Sequence, residues 1–562
     1  MQVSVVVSIL AGSWALAVWL TGGLAFQLGR LHLSSRHPLN PAILAILSAV
    51  AAYKLTTREE RRREWPSLVP STIAIGAVAA VVSFGLSNGL FVAAASDAYG
   101  YVSQADLWAR GDVIVQQPWA REMTWPNAAN ALAPLGYRPH RPAPYGTDIV
   151  PIYSPGVPML MAAFKLVGGA RAVYYVVPLL GGLAVWITFL MGRRLAGPFV
   201  GAAAAVLLAT SPTFLFEITA PASDVAATLW WSLALFALMF DSRSAALGAG
   251  VATGMAILTR PNVAPLALVL ATPAIVRIIR ASSTEDRRHA LMRLLWFAAG
   301  SLPACAFIGV LNRELYGSPL SSGYGSLGDL YAWSHAGTNL AHYSRWLVET
   351  QTIVVVFALA APFVVSGATT LLWLAGILAI FGLYMFYLPF DDWWYLRFLM
   401  PMFPALFVLT SVVLLRVVTA ARVLLAAVVI AALVWHGVSL AAERGASHIW
   451  EAEQRYAEAG AYVASALPER AALLSMQHSG SARFYSGRIT VRYDFIGRND
   501  LDRVIGDLRR LGYQPYFLLD EAEEADFRAR FSDGSSLGAL DWAPKTTIHR
   551  GSVRIYDPAD RR

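Results

Sequence analysis

The chain is dominated by long stretches that carry no charged residue. Stretches of roughly 17–25 such residues recur, and each is long enough to cross about 30 Å of hydrocarbon as a helix. The stretch from Ser71 to Ala95 is one of them. Only 14% of the residues are charged and 56% are hydrophobic, whereas about a quarter of the residues of a soluble domain are charged. The sequence therefore predicts an all-α polytopic membrane domain.

About 13 transmembrane helices are expected from the lengths of these stretches. The predicted spans are 3–27, 39–56, 69–95, 171–192, 197–216, 224–240, 245–259, 262–280, 293–312, 351–367, 369–388, 399–418 and 421–441. The N-terminal stretch lacks the basic segment of a cleavable signal peptide, so we expect a retained anchor. The single cysteine, Cys305, excludes an intrachain disulfide.

Arginines at the span ends predict how the chain is oriented in the membrane. They cluster in alternate connections, at Arg58, Arg61, Arg62 and Arg63, at Arg193 and Arg194, at Arg277, Arg280, Arg287, Arg288 and Arg293, and at Arg416 and Arg422. Connections rich in arginine remain in the cytoplasm. The N terminus is then cytoplasmic and the C terminus extracytoplasmic, at the cytoplasmic (inner) membrane of a bacterium. The net charge of +8 therefore gives no indication of a nucleic acid partner.

Three regions are predicted along the chain. Residues 1–68 hold two extra spans and a basic loop, and residues 69–441 form the main membrane domain with outer loops 96–170 and 313–350. In the first loop, the apolar piece 157–167 is too short to span and is expected to lie in the membrane interface or to re-enter the membrane. Half of the 36 acidic residues follow Ala441. Residues 442–562 alternate helical and strand patterns, with a hairpin expected at 482–495, and predict a small α/β domain outside the membrane.

A few ionisable residues lie at the predicted outer ends of spans. The acids are Asp97, which ends the third span, Asp224, which opens the sixth, and Asp391 and Asp392, which close the eleventh; the cations are Arg260 and Arg397. Ionisable groups at membrane depth are costly, so pairing or function is the default expectation. Together with the aromatic residues beside them, they predict a site for an anionic ligand rich in hydroxyl groups.

Each of these residues also has a purely structural interpretation. Asp97 could be a helix-terminal residue solvated in the interface, and Asp224 could be an N-cap. Arg260 could extend to lipid headgroups. Arg397 could form a structural salt bridge with Asp391 or Asp392, and the Trp393-Trp394-Tyr395 run could be an interfacial aromatic belt.

The order of short motifs resembles that of the GT-C glycosyltransferases, which include protein O-mannosyltransferases and the aminoarabinose transferase of lipid A. The motifs are Ser96-Asp97-Ala98-Tyr99, Tyr153-Ser154-Pro155-Gly156-Val157-Pro158, Ser223-Asp224, Gly254-Met255-Ala256-Ile257-Leu258-Thr259-Arg260 and Arg397-Phe398-Leu399-Met400-Pro401. They lie within residues 70–440. The chain departs from the family plan in its two extra N-terminal spans and in Ser154, where a proline is frequent.

This resemblance implies a sugar donor carried on a polyprenyl phosphate, and inverting transfer to an acceptor outside the membrane. Asp97 would be the general base, Asp224 would orient the acceptor, and Arg260 and Arg397 would bind the donor phosphate. A divalent metal ion, if one is used, would be held by Asp97 and Asp224; no other cofactor is implied. The predicted substrate-binding residues are Tyr99, Tyr101, Gln104, Tyr153, Tyr324, Asp391, Asp392, Trp393, Trp394 and Tyr395.

The expected acceptor is a glycan, glycolipid or protein of the cell envelope, and membrane lipids surround the spans. Two other functions fit the same composition. A transporter or flippase for a lipid-linked or anionic substrate would carry charges near mid-bilayer and repeated halves. A non-catalytic anchor for the C-terminal domain would need neither so many spans nor the aromatic outer loops.

Overall fold

A computed structural model describes residues 39–55, 58–140, 147–416 and 423–561, and near the N terminus residues 6–8, 11–12, 14–15, 18, 24–28, 31–35 and 37. It divides into two compact units. The first, here called the helical unit, comprises Met1–Gly89, Tyr174–Phe307 and Gly328–His448. The second, the mixed unit, comprises Leu90–Val173, Ile308–Leu327 and Ile449–Arg562. The three predicted regions remain a prediction, and both units draw on more than one of them.

Seven helices of the described residues are long and apolar enough to cross a bilayer. They are Ser67–Asn88, Ala170–Ala196, Pro261–Arg280, Thr284–Tyr316, Ala368–Met385, Trp393–Arg416 and Leu425–Glu443. An eighth span results if Trp333–Gln351 and Ile353–Val364, which meet at 101°, count as one. Shorter apolar helices are Leu39–Ala51, Gly156–Gly168, Pro198–Ala209 and Asp224–Ala237. The fold class is confirmed as mostly helical with a small C-terminal sheet, but the count of 13 spans is not.

The helices that follow are those whose two ends lie among the described residues. The α-helices are Leu39–Leu55, Arg58–Asn88, Asp97–Arg110, Ala128–Ala131, Gly156–Gly168, Val176–Ala196, Pro198–Ala209, Pro212–Glu217, Asp224–Ala237, Arg243–Thr259, Ala267–Arg280, Thr284–Tyr316, Leu327–Leu330, Ala336–Gln351, Ala361–Val364, Ala368–Met385, Phe403–Arg416, Val423–Glu443, Ile449–Ala466, Ser479–Ser486, Leu501–Arg510 and Glu523–Phe531. The 3₁₀ helices are Pro118–Glu122, Ala170–Tyr175, Pro261–Leu266, Trp333–His335, Ile353–Ala360, Trp393–Met402, Tyr493–Phe495, Ser536–Ala539 and His549–Gly551.

Two predicted spans differ from the expectation in their continuity or their start. The span expected at 197–216 is broken between Pro198–Ala209 and Pro212–Glu217, because Pro212 lacks the N–H that would continue the first helix. The span expected at 351–367 begins after the bend at Thr352, which has a φ of +62°. The first predicted span, 3–27, lies mostly outside the described residues. Its last part instead forms strand β1 (Leu24–Leu28), which pairs antiparallel with β2 (Leu31–Ser35).

The mixed unit is built on a five-stranded sheet formed by the C-terminal residues. Its strands are β5 (Ala471–Leu474), β6 (Ile489–Val491), β7 (Gln514–Asp520), β8 (Thr546–Ile548) and β9 (Val553–Tyr556), in the order β6-β5-β7-β9-β8. Strand β5 pairs parallel with β6 and β7, and β9 pairs antiparallel with β7 and β8. A separate antiparallel pair, β3 (Tyr137–Pro139) and β4 (Ile149–Pro151), comes from the first predicted outer loop.

The two faces of this sheet bury alternate residues of the same strands. Ala472, Leu474, Phe517 and Leu519 lie in one core cluster, and Ala471, Leu473, Tyr516 and Leu518 lie in the other. This alternation follows from the strand pleat, which directs successive side chains to opposite faces. Both central strands are therefore continuous apolar runs, as expected for strands covered on both sides.

The hairpin predicted at 482–495 is wrong. The structure instead has helix Ser479–Ser486 followed by β6, which pairs parallel with β5. The helix ends at Gly487, whose φ of +68° is the left-handed conformation that glycine adopts readily. The chain thus forms a strand–helix–strand unit rather than two antiparallel strands.

Candidate active site

Asp97 lies in the mixed unit and begins a helix. The span helix before it ends at Asn88, and Asp97 is the first residue of Asp97–Arg110. The prediction that Asp97 ends the third span is therefore wrong, because residues 89–96 are not helical. A carboxylate in the first turn of a helix is stabilised by the positive end of the helix dipole.

Tyr153 contacts the Asp97 carboxylate directly. Its hydroxyl donates a hydrogen bond to Asp97 Oδ1 at 2.7 Å, and its only proton is thereby used, so Ser96 Oγ donates to Tyr153 Oη at 2.8 Å. Burial, with the neighbouring Asp97 charge, holds the pKa of Tyr153 well above its ordinary value of 10.0. The phenol therefore keeps its proton and remains the donor that orients Asp97.

Two more of the predicted substrate-binding residues surround Tyr153. The rings of Tyr101 and Tyr153 lie 4.5 Å apart between centroids, and Tyr324 meets Tyr153 edge-on at 6.0 Å. Tyr101 is buried, whereas Tyr324 is exposed. The segment that carries Tyr324 is fixed by a hydrogen bond from Arg138 to the carbonyl oxygen of Gly323, at 3.1 Å. The structure thus brings Asp97, Tyr101, Tyr153 and Tyr324 together.

The other two residues predicted on this helix are buried in the mixed unit. Tyr99 packs against the rings of Tyr137 and Phe484, at 5.7 and 6.3 Å, and burial raises its pKa to about 12. Gln104 is 1% exposed, and its Oε1 has no hydrogen-bond partner among the described residues. Their roles in substrate binding stay predictions.

In the helical unit, Asp224 and Arg260 form a buried ion pair. Asp224 is the first residue of helix Asp224–Ala237, and the N-cap position belongs to Ser223. Arg260 directly follows helix Arg243–Thr259 and donates to Asp224 Oδ1 and, at 3.3 Å, to Ser223 Oγ. Asp224 is 2% exposed and Arg260 is 9% exposed. Neither the N-cap interpretation of Asp224 nor the headgroup interpretation of Arg260 agrees with this geometry.

Arg397 joins this pair and adds a second acid. Its Nη1 lies 3.9 Å from Glu217 Oε2, and its Nε lies 4.0 Å from Asp224 Oδ1. Glu217 is 2% exposed, at the end of helix Pro212–Glu217. We call Glu217, Asp224, Arg260 and Arg397 the charge cluster. Its two carboxylates and two guanidinium groups balance, as expected for ionisable groups held away from water.

Aromatic rings hold both guanidinium groups of the charge cluster. Phe398 lies 5.3 Å from Arg260 Cζ and 5.7 Å from Arg397 Cζ, measured to the ring centroid. Tyr395 lies 5.3 Å from Arg397 Cζ. Tyr384 stacks on Phe398 with 5.4 Å between centroids. Cation–π contacts of this kind attract a desolvated cation without neutralising its charge.

The remaining predicted residues lie just before Arg397. Asp391 and Asp392 are exposed, and Trp393 and Trp394 are half-buried. Trp393 meets Phe216 edge-on at 5.2 Å, and Trp394 stacks on the same ring at 6.4 Å. Their contact with a sugar stays a prediction. In this unit the structure brings together Asp224, Arg260, Arg397 and Tyr395.

Sequence reasoning missed Glu217 and Ser96. Glu217 follows the apolar residues Phe214, Leu215 and Phe216, so an acid at membrane depth was a usable signal. Glu217 also directly follows the span predicted at 197–216, so it lay at a predicted span end without being among the candidate residues. Ser96 offered no comparable signal, because its role depends on Tyr153, which lies 57 residues further along the chain.

A metal ion does not fit Asp224 in this arrangement. The carboxylate faces Arg260, so a divalent cation there would lie beside a guanidinium group. Among the described residues, no group of three or more His, Cys, Asp or Glu side chains is arranged to hold a metal. We therefore assign no step of the reaction to a metal ion.

Comparison with known proteins adds a family match over part of the chain. Residues 152–305 match the family model described as dolichyl-phosphate-mannose-protein mannosyltransferase. The matched region includes Tyr153, Asp224 and Arg260. No curated protein sequence matches the chain.

Solved structures are similar over most of the chain. ArnT from Cupriavidus metallidurans bound to undecaprenyl phosphate matches with a TM-score of 0.56 at 13% identity, over 86% of this chain and 97% of that one. The apo state of the same protein matches with a TM-score of 0.56 at 14% identity over the same shares. The oligosaccharyltransferase of Archaeoglobus fulgidus, in complex with zinc and sulfate, matches with a TM-score of 0.51 at 11% identity, over 86% of this chain and 73% of that one.

The chain has the GT-C fold. The resemblance read from the sequence motifs is thereby confirmed. At these identities the structural matches establish the fold, and with the family match they support, in general terms, a membrane enzyme of glycosyl transfer.

Proposed function

We propose that this GT-C protein transfers a sugar from a polyprenyl-phosphate donor to an envelope acceptor on the outer face of the plasma membrane, with inversion. The charge cluster is the observation that carries the proposal. Arg260 directly precedes the apolar span Pro261–Arg280, and Arg397 lies near the start of the apolar span Trp393–Arg416. A lipid whose headgroup is a phosphate needs such cations beside hydrocarbon. ArnT, which shares the fold, was solved with undecaprenyl phosphate, and we extend that ligand class to this chain.

In the proposed reaction the acceptor oxygen attacks the anomeric carbon as the bond from that carbon to the phosphate oxygen breaks. The electron pair of the broken bond leaves with the phosphate. Arg260 and Arg397 stabilise the developing negative charge, and they act strongly because both guanidinium groups are largely removed from water. Since phosphate leaves as an anion, no general acid is required.

Asp97 is the proposed general base. It takes the proton of the attacking hydroxyl while Tyr153, which donates to Asp97 Oδ1, orients the carboxylate. Positioned bases typically contribute about 10²–10⁴-fold to rate. The half-buried Trp393 and Trp394 provide apolar ring faces, which suit the apolar face of a sugar ring.

A strain that lacks the protein provides the test, because its membranes should accumulate both unused donor and unused acceptor. Mass spectrometry of its envelope glycans should show one missing sugar. Adding purified protein to vesicles from that strain should restore the sugar on the acceptor and release polyprenyl phosphate.

Asp97→Asn should lower this transfer about 10²–10⁴-fold, because amide nitrogen and oxygen cannot take the proton. Its binding of undecaprenyl phosphate should remain as in the wild type. Wild-type rates in Asp97→Asn would remove the base assignment. Movement of the lipid-linked sugar across the bilayer without transfer would replace the enzyme hypothesis with the transporter hypothesis.

A further inference from the structure

The segment Leu90–Val173, here called the first segment, and the C-terminal residues Ile449–Arg562 fold together in the mixed unit. Trp125 and Leu132 of the first segment are 3% and 1% exposed, and they share a core cluster with Leu474 and Phe517 of the sheet. The backbone adds to this, because Arg492 N donates to the carbonyl oxygen of Ala131 at 2.6 Å. The α/β domain is therefore not a separate module appended to the chain.

Helix Ser479–Ser486 contacts residues that lie close to Asp97 in the sequence. At one end, the hydroxyl of Tyr485 accepts a hydrogen bond from Ala93 N at 2.7 Å, four residues before Asp97. At the other, Ser479 Oγ accepts from Leu135 N at 3.1 Å. This helix follows the parallel strand β5, and its residue Ala482 packs in the core cluster on one face of the sheet, with Leu473 and Leu518.

Gly480 leaves room for the ring of Tyr99. A Cβ atom at Gly480 would lie 2.1 Å from Tyr99 Cδ1 and 2.4 Å from Cε1, so no larger residue fits unless Tyr99 moves. Tyr99 is two residues after Asp97 on the same helix, and an α-helix moves as a rigid element over such a distance. A displaced Tyr99 ring would therefore shift the Asp97 carboxylate relative to Tyr153.

Arg483, a buried arginine on the same helix, adds further hydrogen bonds to the segment that carries Asp97. Arg483 donates to Gln117 Oε1 at 2.7 Å and to the carbonyl oxygen of Leu132 at 3.1 Å. Burial lowers its pKa from 12.5, and the nearby Tyr99 opposes this shift. Three residues of one short helix, Ser479, Arg483 and Tyr485, thus bind backbone or side chains of the segment that carries Asp97.

We propose that helix Ser479–Ser486 of the C-terminal domain positions the Asp97 carboxylate, with Gly480 and Tyr485 as its positioning residues. The proposal rests on the proposed function, because it takes Asp97 to be the base. The C-terminal domain then sets the rate of the chemical step and leaves the binding of the lipid phosphate unchanged.

The test compares two glycine substitutions in the same domain. Gly480→Ala places a methyl group against Tyr99, whereas Gly506→Ala adds a methyl group with no atom within 4 Å. Both are measured in vesicles from the strain that lacks the protein, with undecaprenyl phosphate binding and thermal unfolding as parallel readouts. Misplacement of a catalytic group by about 1 Å costs about 10²-fold in rate, so Gly480→Ala should lose turnover to that extent with undecaprenyl phosphate affinity kept.

Two further variants make the result decisive. In a Tyr99→Ala background the added methyl group of Gly480→Ala meets no ring, so it should cause no additional loss. If Gly480→Ala does not fold, Tyr485→Phe provides the test. It removes only the hydroxyl that accepts a hydrogen bond from Ala93 N, and it should lower turnover several-fold. Wild-type turnover in a folded Gly480→Ala, or in Tyr485→Phe, overturns the positioning role. Absence of transfer by the wild type would instead overturn the proposed function.

Discussion

In the proposed function, the donor phosphate must displace the Asp224 carboxylate from Arg260. Both side chains are nearly buried, and the carboxylate occupies a face of the guanidinium group that a phosphate oxygen would also seek. Binding therefore exchanges one anion for another instead of filling an unpaired cation. The existing ion pairs explain how two arginines can stay at membrane depth when no donor is bound.

We predict opposite effects for the two members of this pair. Arg260→Ala should weaken undecaprenyl phosphate binding about 10–100-fold, since a hydrogen bond to a charged group contributes about 1.5–3 kcal/mol. Asp224→Asn should strengthen it about tenfold, because the competing anion is removed and the phosphate relieves the unpaired charge of Arg260. Isothermal titration in detergent measures both.

Asp241→Asn is the matched control for Asp224→Asn. Asp241 also lies in the helical unit and pairs with Arg277 and Arg293, but its side chain is 57% exposed. Its substitution should leave undecaprenyl phosphate affinity unchanged. Weaker binding by Asp224→Asn would contradict the exchange of anions and would make Asp224 a direct contributor to the donor site.

For individual residues, the sequence predicted which charged residues matter better than it predicted which of them form ion pairs. Asp224 and Arg260 stood out because ionisable groups are rare at span ends, but they are 36 residues apart, and no local pattern joins them. The structural alternative for Arg397, a salt bridge with Asp391 or Asp392, involved only residues that are close in sequence. The structure instead places Arg397 within 3.9 Å of Glu217, which lies 180 residues earlier in the chain.

At the scale of elements, the helix that precedes Arg260 is positioned by glycine. A Cβ atom at Gly250 would lie 2.1 Å from the carbonyl oxygen of Phe297, and one at Gly300 would lie 2.5 Å from that of Leu247. Helices Arg243–Thr259 and Thr284–Tyr316 thus cross with their backbones in direct contact, as small residues permit in membrane domains. The place of Arg260 depends on this crossing.

Gly250→Ala should move these two helices apart and weaken the ion pairs of the charge cluster. We expect a destabilisation of about 1–3 kcal/mol, typical of overpacking, together with weaker undecaprenyl phosphate binding. Gly248→Ala on the same helix meets no atom within 4 Å, and it should be neutral or stabilising by up to about 1 kcal/mol, since alanine favours helix. Thermal unfolding of the two variants measures the change in stability, and titration with undecaprenyl phosphate measures the change in affinity. Equal behaviour of the pair would contradict the close crossing.

Hydropathy located most helices but not their ends or breaks. The uncharged stretch Ser71–Ala95 gives no sign that the helix ends at Asn88, because Val92, Ala93 and Ala94 are buried in the mixed unit rather than in lipid. Burial against protein and burial in hydrocarbon require the same apolar residues. The parallel pairing of β5 with β6 was missed for a related reason, since register depends on partners distant in sequence.

At the scale of the whole molecule, each compact unit is built from stretches that are far apart in the sequence. Residues Leu90–Val173 fall in the same unit as Ile449–Arg562, although more than 270 residues separate them. A change in composition after Ala441 revealed the α/β domain but not its partner segment. Trp125 and Leu132 could be recognised only as apolar loop residues, because the core they complete is formed by strands at the other end of the chain.

The orientation of the chain in the membrane is a prediction of the arginine distribution, and two cysteine variants test it. In a Cys305→Ser background, Asp533→Cys reports on the α/β domain and Ser282→Cys on the arginine-rich connection; both positions are exposed. A maleimide that cannot cross membranes should label Asp533→Cys in intact spheroplasts and Ser282→Cys only after permeabilisation, because connections rich in arginine remain in the cytoplasm. The reverse pattern would place the α/β domain in the cytoplasm and overturn transfer on the outer face.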